Sequence, residues 1–287
     1  MMLKSINGTY TINESTSLSG FKPNAFLFGL DSGFNAPGVG FILGSQDAGI
    51  KRRAANRGWI ARNPDLNSPF QQSFGTDIDI QADLEPFKDL RVQLTWNRGL
   101  NNQYQEIFRF DPAVNDFRTL TPSRSGSYSV SFSSIRTAFQ RDASDNSSPA
   151  FSEFEDNILA IRERLNRANP NGTYDTISQD VLIPAFIAAY SGKDVDQVAL
   201  SPFPKTPLPN WRLDYAGLIN IPAISEIFSS FTISHGYNST YSVSNFTNSL
   251  NYDESRIGLQ NNILDYPLAE ADDGRLVPVY IINQVMI

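Results

Sequence analysis

Residues 76–98 read TDIDIQADLEPFKDLRVQLTWNR, two alternating runs joined by a turn at 85–89. Side chains of a strand point to opposite faces with a period of two. One parity carries Ile78, Ile80, Ala82 and Leu84, then Leu90, Val92, Leu94 and Trp96. The other carries Asp77, Asp79, Gln81 and Asp83, then Arg91, Gln93, Thr95 and Asn97. The spacing predicts an antiparallel hairpin with one apolar and one polar face. Each arm is about nine residues, roughly what a tilted strand needs to cross a bilayer. A soluble antiparallel sheet alternates in the same way, so the hairpin alone does not separate the two.

The alternation recurs along the chain. Residues 8–13 make a short strand-like start. Phe26, Phe28 and Leu30 share one parity, as do Val39, Phe41 and Leu43, and both runs are read as strands. Trp211, Leu213 and Tyr215 alternate with Arg212 and Asp214. Phe231, Ile233, His235, Tyr237, Tyr241 and Val243 oppose a face rich in Ser and Thr, and a last strand begins near Leu276. On this assignment the connections alternate in length: short at 32–36, 85–89 and 219–229, long at 45–75, 99–209 and 253–275. Outer-membrane barrels keep this asymmetry, with short turns on one side and long loops on the other.

The expectation is a mainly all-β chain, an antiparallel transmembrane β-barrel segment of about eight membrane strands. Residues 1–98 and 210–287 supply barrel strands, and 99–209 form a mixed α/β insert, extracellular or lumenal. Tyr104, Phe108 and Phe110 extend the preceding strand outward. Within the insert, Phe151, Phe154, Ile158, Ile161 and Leu165 recur at helical spacing over 150–167. A second helix is predicted over 178–191, with Pro184 inside it. If the turns at 85–89 and 219–229 lie on one side, the alternating stretch 125–139 should not add a crossing of its own.

Composition narrows the classes. The chain has 287 residues, and its 12% aromatic content suits pleated, half-buried surfaces. Its net charge of −7 argues against a nucleic-acid partner, which calls for a basic patch. With no cysteine, thiolate metal sites and thiol nucleophiles are excluded. No apolar run is long enough for a transmembrane helix, which leaves barrel strands open. MMLKSINGTY lacks the apolar stretch of a signal peptide, and VPVYIINQVMI stops within a strand-like run. Both suit a piece of a longer precursor.

Four stretches carry a family resemblance: GFILGSQDAGIKRRAANRGWIARNPDLNSPF at 40–70, DIDIQADLEPFKDLRVQLTWNR at 77–98, PLPNWRLDYAGL at 207–218 and FTISHGYNSTYSVSNF at 231–246. In order along the chain, they resemble the SprA/Sov family of giant outer-membrane translocons of type IX secretion, which is linked to gliding motility. The resemblance implies a conduit at the cell surface through which folded proteins cross the bacterial outer membrane. It implies substrates with C-terminal sorting domains, and a shuttle barrel and a periplasmic plug as partners. Members of the family are many times longer, so this chain would supply only part of a barrel wall.

The candidate residues follow from the two faces. Asp77, Asp79, Asp83, Arg91, Gln93, Arg212 and Asp214 are expected to face a lumen. Ile78, Ile80, Leu84, Leu90, Val92 and Leu94 are expected to face lipid. Trp96, Tyr104, Trp211, Tyr215, Tyr237 and Tyr241 are candidates for interfacial aromatic girdles; the plainer reading is core packing. Asp77 and Asp79 could be an acid pair of the glycosidase kind, but a wall that is polar throughout explains them better. His235, the sole histidine, shares its parity with apolar residues and has no orienting acid, so no triad is assigned. Lys51, Arg52, Arg53 and Arg57 could bind phosphate or lipopolysaccharide, or simply pair with acids elsewhere. No phosphate-binding or dinucleotide fingerprint is present. An enzyme is not expected, nor any cofactor; a nutrient transporter or porin-type barrel fragment and a soluble surface-binding β-protein stay open as alternatives.

Overall fold

The computed structural model describes residues 2–141, 148–170, 172–249, 268–270, 276–278 and 280–287. Its centre is an antiparallel sheet of eight strands. These are β1 (Met2–Ser17), β2 (Phe70–Glu85), β3 (Leu90–Asp111), β4 (Asp116–Ser131), β5 (Asn210–Tyr215), β6 (Ile233–Tyr237), β7 (Thr240–Asn248) and, after a small pair β8 (Leu268–Glu270) and β9 (Leu276–Pro278), β10 (Tyr280–Met286).

The eight strands form six staves. One edge of β3 pairs with β2, from Val92 opposite Leu84 to Glu106 opposite Phe70. Its other edge takes two strands end to end: β5 opposite Leu90–Thr95, and β4 opposite Arg98–Asp111. β4 and β5 are therefore one stave cut by residues 132–209. Beside it, β6 pairs with β5 and β7 with β4, separated only by Asn238 and Ser239. β1 stands at one end of the sheet and β10 at the other, each with an outer edge unpaired among the described residues.

This corrects the predicted insert. Residues 99–131 belong to the sheet, and the insert begins at residue 132. Alternation reports a strand but not its partner, so the collinearity of 116–131 with 210–215 was invisible locally. Together they run the length of the sheet once, and the turns 86–89 and 216–232 lie at the same end of it. The break is closed by side chains. The Ser131 hydroxyl accepts from the Asn97 amide at 3.1 Å, and Asn210 Oδ1 accepts from the Ser239 amide at 2.9 Å.

The predicted strands at 24–30 and 39–43 do not form. Val39–Ile42 is a single helical turn, α1, and residues 26–30 hold only an isolated bridge. Among the described residues no strand lies alongside to accept their hydrogen bonds, and positive φ at Phe28, Gly29 and Phe34 turns the chain repeatedly. Hence one long connection, 18–69, replaces the hairpin expected there. A four-residue turn at 112–115 stands at the same end of the sheet. Short and long connections are thus less strictly sorted than expected.

Helices occupy the apolar face. From the long connection, α2 (Ile50–Asn56) packs Ile50 and Ala54 on Phe70, Tyr104, Phe108 and Phe117. From the insert, α3 (Ile135–Ala138) leads to α4 (Pro149–Ala168) and α5 (Gln179–Ser191), which pack against each other. Ile161, Leu165, Val181 and Ile187 bury Tyr128, Val130, Tyr241, Val243 and Phe246. Each large side chain so removed from water contributes about 1.5–3 kcal/mol. A short 3-10 turn (Gly217–Asn220) and α6 (Pro222–Ser225) complete the connection between β5 and β6.

Candidate functional site

Opposite residues of an antiparallel pair share a face, so the registers carry each face across the staves. The polar face runs from Lys4, Asp83, Glu85, Arg91, Arg212 and Asp214 at the turn end to Ser15, Ser17, Gln71, Gln103 and Gln105 at the far end. Between them lie Asn13, Ser73, Asp77, Asn101, Ser127, Ser129, Ser242 and Ser244. Three clefts of about 450, 320 and 400 Å³ succeed one another along this face, forming a trough. The middle cleft reaches from β1 to β7. Small side chains keep it open: a Cβ on Gly99 would come within 3.1 Å of Asp77 Oδ1 and 3.2 Å of Ser129 Oγ.

At the turn end, charge alternates across four strands as Lys4, Glu85, Arg91 and Asp214. Lys4 Nζ lies 2.8 Å from Glu85, and Arg91 stands directly opposite Asp214. Arg212 Nε lies 3.0 Å from Asp214, which also accepts from Ser234 Oγ at 2.6 Å. Asp83 accepts from Ser5 Oγ at 2.8 Å, and from the amides of Gln81 and Gln93 at 3.2 and 3.3 Å. Asp79 accepts from Asn97 Nδ2 at 2.5 Å. These carboxylates are held by hydroxyl, amide and cationic donors along a wetted wall. His235 stands opposite Leu213 on the other face. Among the described residues, no three His, Asp or Glu side chains converge as metal ligands.

The other face divides into a covered part and an uncovered band. Ile78, Ile80, Leu84, Leu90, Val92, Leu94 and Trp96 belong to neither buried cluster. Leu3, Ile6, Tyr10 and Ile12 of β1 extend the band and are exposed, Ile6 and Tyr10 each at 62%. Across β5 and β6 it continues through Trp211, Leu213, Tyr215, Ile233 and Tyr237. Trp211 stacks on Tyr237 with centroids 4.4 Å apart at one margin, and Phe87 meets Tyr215 at 6.0 Å at the other.

Two of the candidate girdle aromatics lie elsewhere. Tyr241 is fully buried under the insert, with its hydroxyl donating to the Pro202 carbonyl at 2.8 Å. Tyr104 is buried beneath α2 and donates to Glu106. Both sit on the apolar parity, but helices remote in sequence cover them, which strand parity cannot register. Trp96, Trp211, Tyr215 and Tyr237 stay partly accessible.

The basic run is largely paired. Lys51 contacts the buried carboxylate of Glu106 and sits over the rings of Phe70, Tyr104 and Phe108. Arg52 reaches Asp116 at 3.0 Å and Arg53 pairs with Asp47. Arg57 stacks on Trp59. The Arg53 guanidinium holds the Asp47 carboxyl below its usual range. The Phe117 amide does the same for Asp116, with a smaller contribution from Arg52.

No family model matches the chain, and no curated protein matches it.

Proposed function

We propose that this chain is a wall segment of a transmembrane β-barrel in the bacterial outer membrane, part of a channel that exports folded proteins in type IX secretion. The observation that carries the membrane reading is the pair of unequal faces over five of the six staves. One face bears an apolar band left uncovered among the described residues, and the other a trough lined by Ser, Asn, Gln, Asp and Arg. From Leu3 to Ile12 the band runs roughly 30 Å along β1 and from Ile78 to Leu84 about 20 Å along β2. A barrel's lipid-facing band is about 25 Å tall. An apolar surface of this extent in water marks an interaction or membrane site.

The band faces lipid and the trough faces the lumen. Mixed charge and small hydroxyl side chains suit passage of varied protein surfaces better than selection of one ion. The export role rests on the family resemblance of residues 40–70, 77–98, 207–218 and 231–246. Secreted proteins with C-terminal sorting domains are the cargo, and a shuttle barrel and periplasmic plug are the partners. The wall performs no chemistry and needs no cofactor.

Photo-crosslinking in secreting cells tests this reading. A benzophenone side chain at Gln93 or Asn101 of the full-length protein is expected to capture exported proteins bearing the sorting domain. The same group at Ile80 is expected to capture none. Correctly assembled protein that yields no such adduct from either trough position sinks the conduit.

A further inference from the structure

The long connection 18–69 carries an apolar lobe that the barrel reading does not use. Phe26, Phe28, Phe34, Ile42 and Leu43 are all exposed, Phe28 at 80% and Leu43 at 77%. Phe28 and Phe34 hold φ near +53° and +56°, a region costly for bulky side chains. Among the described residues, neither ring belongs to a buried cluster.

Two observations say what covers the lobe. The first is position. Gly44, at φ +84°, passes so close to β1 that a Cβ would lie 2.9 Å from the Glu14 carbonyl oxygen. Thr16 Oγ1 donates to the Ser45 carbonyl at 2.9 Å. The lobe is thus moored to β1 immediately beyond Tyr10 and Ile12, where the band ends, and α2 of the same connection packs on the band's own face. The second is charge. The connection holds six basic and three acidic residues in a chain whose acidic residues outnumber basic ones 30 to 23. A cavity of about 210 Å³ opens between the lobe and α2, lined among others by Asn35, Phe41, Asp47, Arg53, Arg57 and Trp59; Asp47 pairs with Arg53, which leaves Arg57 as the cation offered to a ligand. Apolar side chains beside Arg and Trp match the boundary between acyl chains and anionic headgroups.

We propose that residues 26–43 are an interfacial foot: the lobe enters the membrane leaflet at the rim of the apolar band, and Arg57, stacked on Trp59 in the lining of the adjoining cavity, holds the phosphate of an anionic lipid. The proposal rests on the membrane reading of the band.

Residues 1–287 contain no cysteine, and any cysteine elsewhere in the full-length protein is first replaced by serine, so that each label sits at a single site. Phe28→Cys, Leu43→Cys and, as a band control, Ile80→Cys are introduced into the full-length protein. The labelled proteins are placed in nanodiscs of phosphatidylcholine with or without phosphatidylglycerol. At Phe28→Cys and Leu43→Cys, the ratio of accessibility to oxygen over aqueous nickel chelate is expected to be several-fold above that of a label at Asn101→Cys. It rises further with phosphatidylglycerol, and the rise is lost with Arg57→Gln. Water-like ratios at both lobe positions, with Ile80→Cys in lipid, overturn the foot. Shielding from both reagents also overturns it and indicates a protein partner. No dependence on phosphatidylglycerol overturns the headgroup site. A water-accessible Ile80→Cys defeats the membrane reading itself.

Discussion

Lys51 ties the long connection to the sheet through a buried charge pair. Its ammonium meets a fully buried carboxylate, Glu106, within a box of three aromatic rings. Removing one partner of such a pair strands the other charge in a dry site, at about 3–5 kcal/mol, whereas apolar replacement of both can be nearly neutral. Lys51→Met alone and Glu106→Leu alone are expected to destabilise the full-length protein by about that amount, and the double variant by far less. Denaturant titration in detergent micelles reads this. Single variants costing under about 1 kcal/mol would mean that water reaches the pair. The neighbouring carboxylates give a pH dependence. Asp47 and Asp116 have folded-state pKa values depressed below 3.8. Their contribution is therefore present above the unfolded value and is lost as pH falls through the folded one. A spin label at Ala48→Cys is expected to keep constant mobility down to about pH 4 and to loosen only below it. Loosening between pH 5 and 7 would contradict the assignment. Lys51 was legible only as one member of a basic run, since its partner lies 55 residues away.

At the scale of elements, the 76–98 hairpin was legible almost completely. Its turn, its parity and its pairing follow from alternation, because each arm's neighbour is the next segment of the chain. Its facing gives a sharp contrast. Leu94→Arg puts a charge on the apolar band, where an Arg at bilayer mid-depth costs about 2–4 kcal/mol. Thr95→Arg, one residue on, adds to a wet face that already carries Arg91 and Arg212 and is expected to be mild. Assembly yield of the full-length protein in the outer membrane compares the two, and equal defects would reverse or abolish the facing. The interrupted stave was not legible. β4 and β5 each read as a strand, but 78 residues separate Ser131 from Asn210, and only their common partner β3 shows them to be one. The phenylalanine alternation at 26–30 misled for the opposite reason. It records rings held outward, with no strand beside them to complete a ladder.

For the whole molecule, part of the apolar face and, among the described residues, two sheet edges stand open. Exposed edges recruit further strands, and an exposed apolar band recruits lipid or protein. The full-length protein is expected to fractionate with the outer membrane and to leave it only with detergent. Recovery in the aqueous phase without detergent would exclude the barrel. What the sequence by itself determined is the two-faced character of each strand, because parity is local and survives whatever lies around it. It also determined the two long insert helices, through their apolar spacing. Which stretches of the apolar face stay open was decided only by tertiary structure. α2, α4 and α5 arrive from distant parts of the chain to cover Tyr104, Tyr241 and their neighbours. They leave Ile78 to Trp96 outside both buried clusters, since burial is a property of what packs against a face and not of the face's own residues.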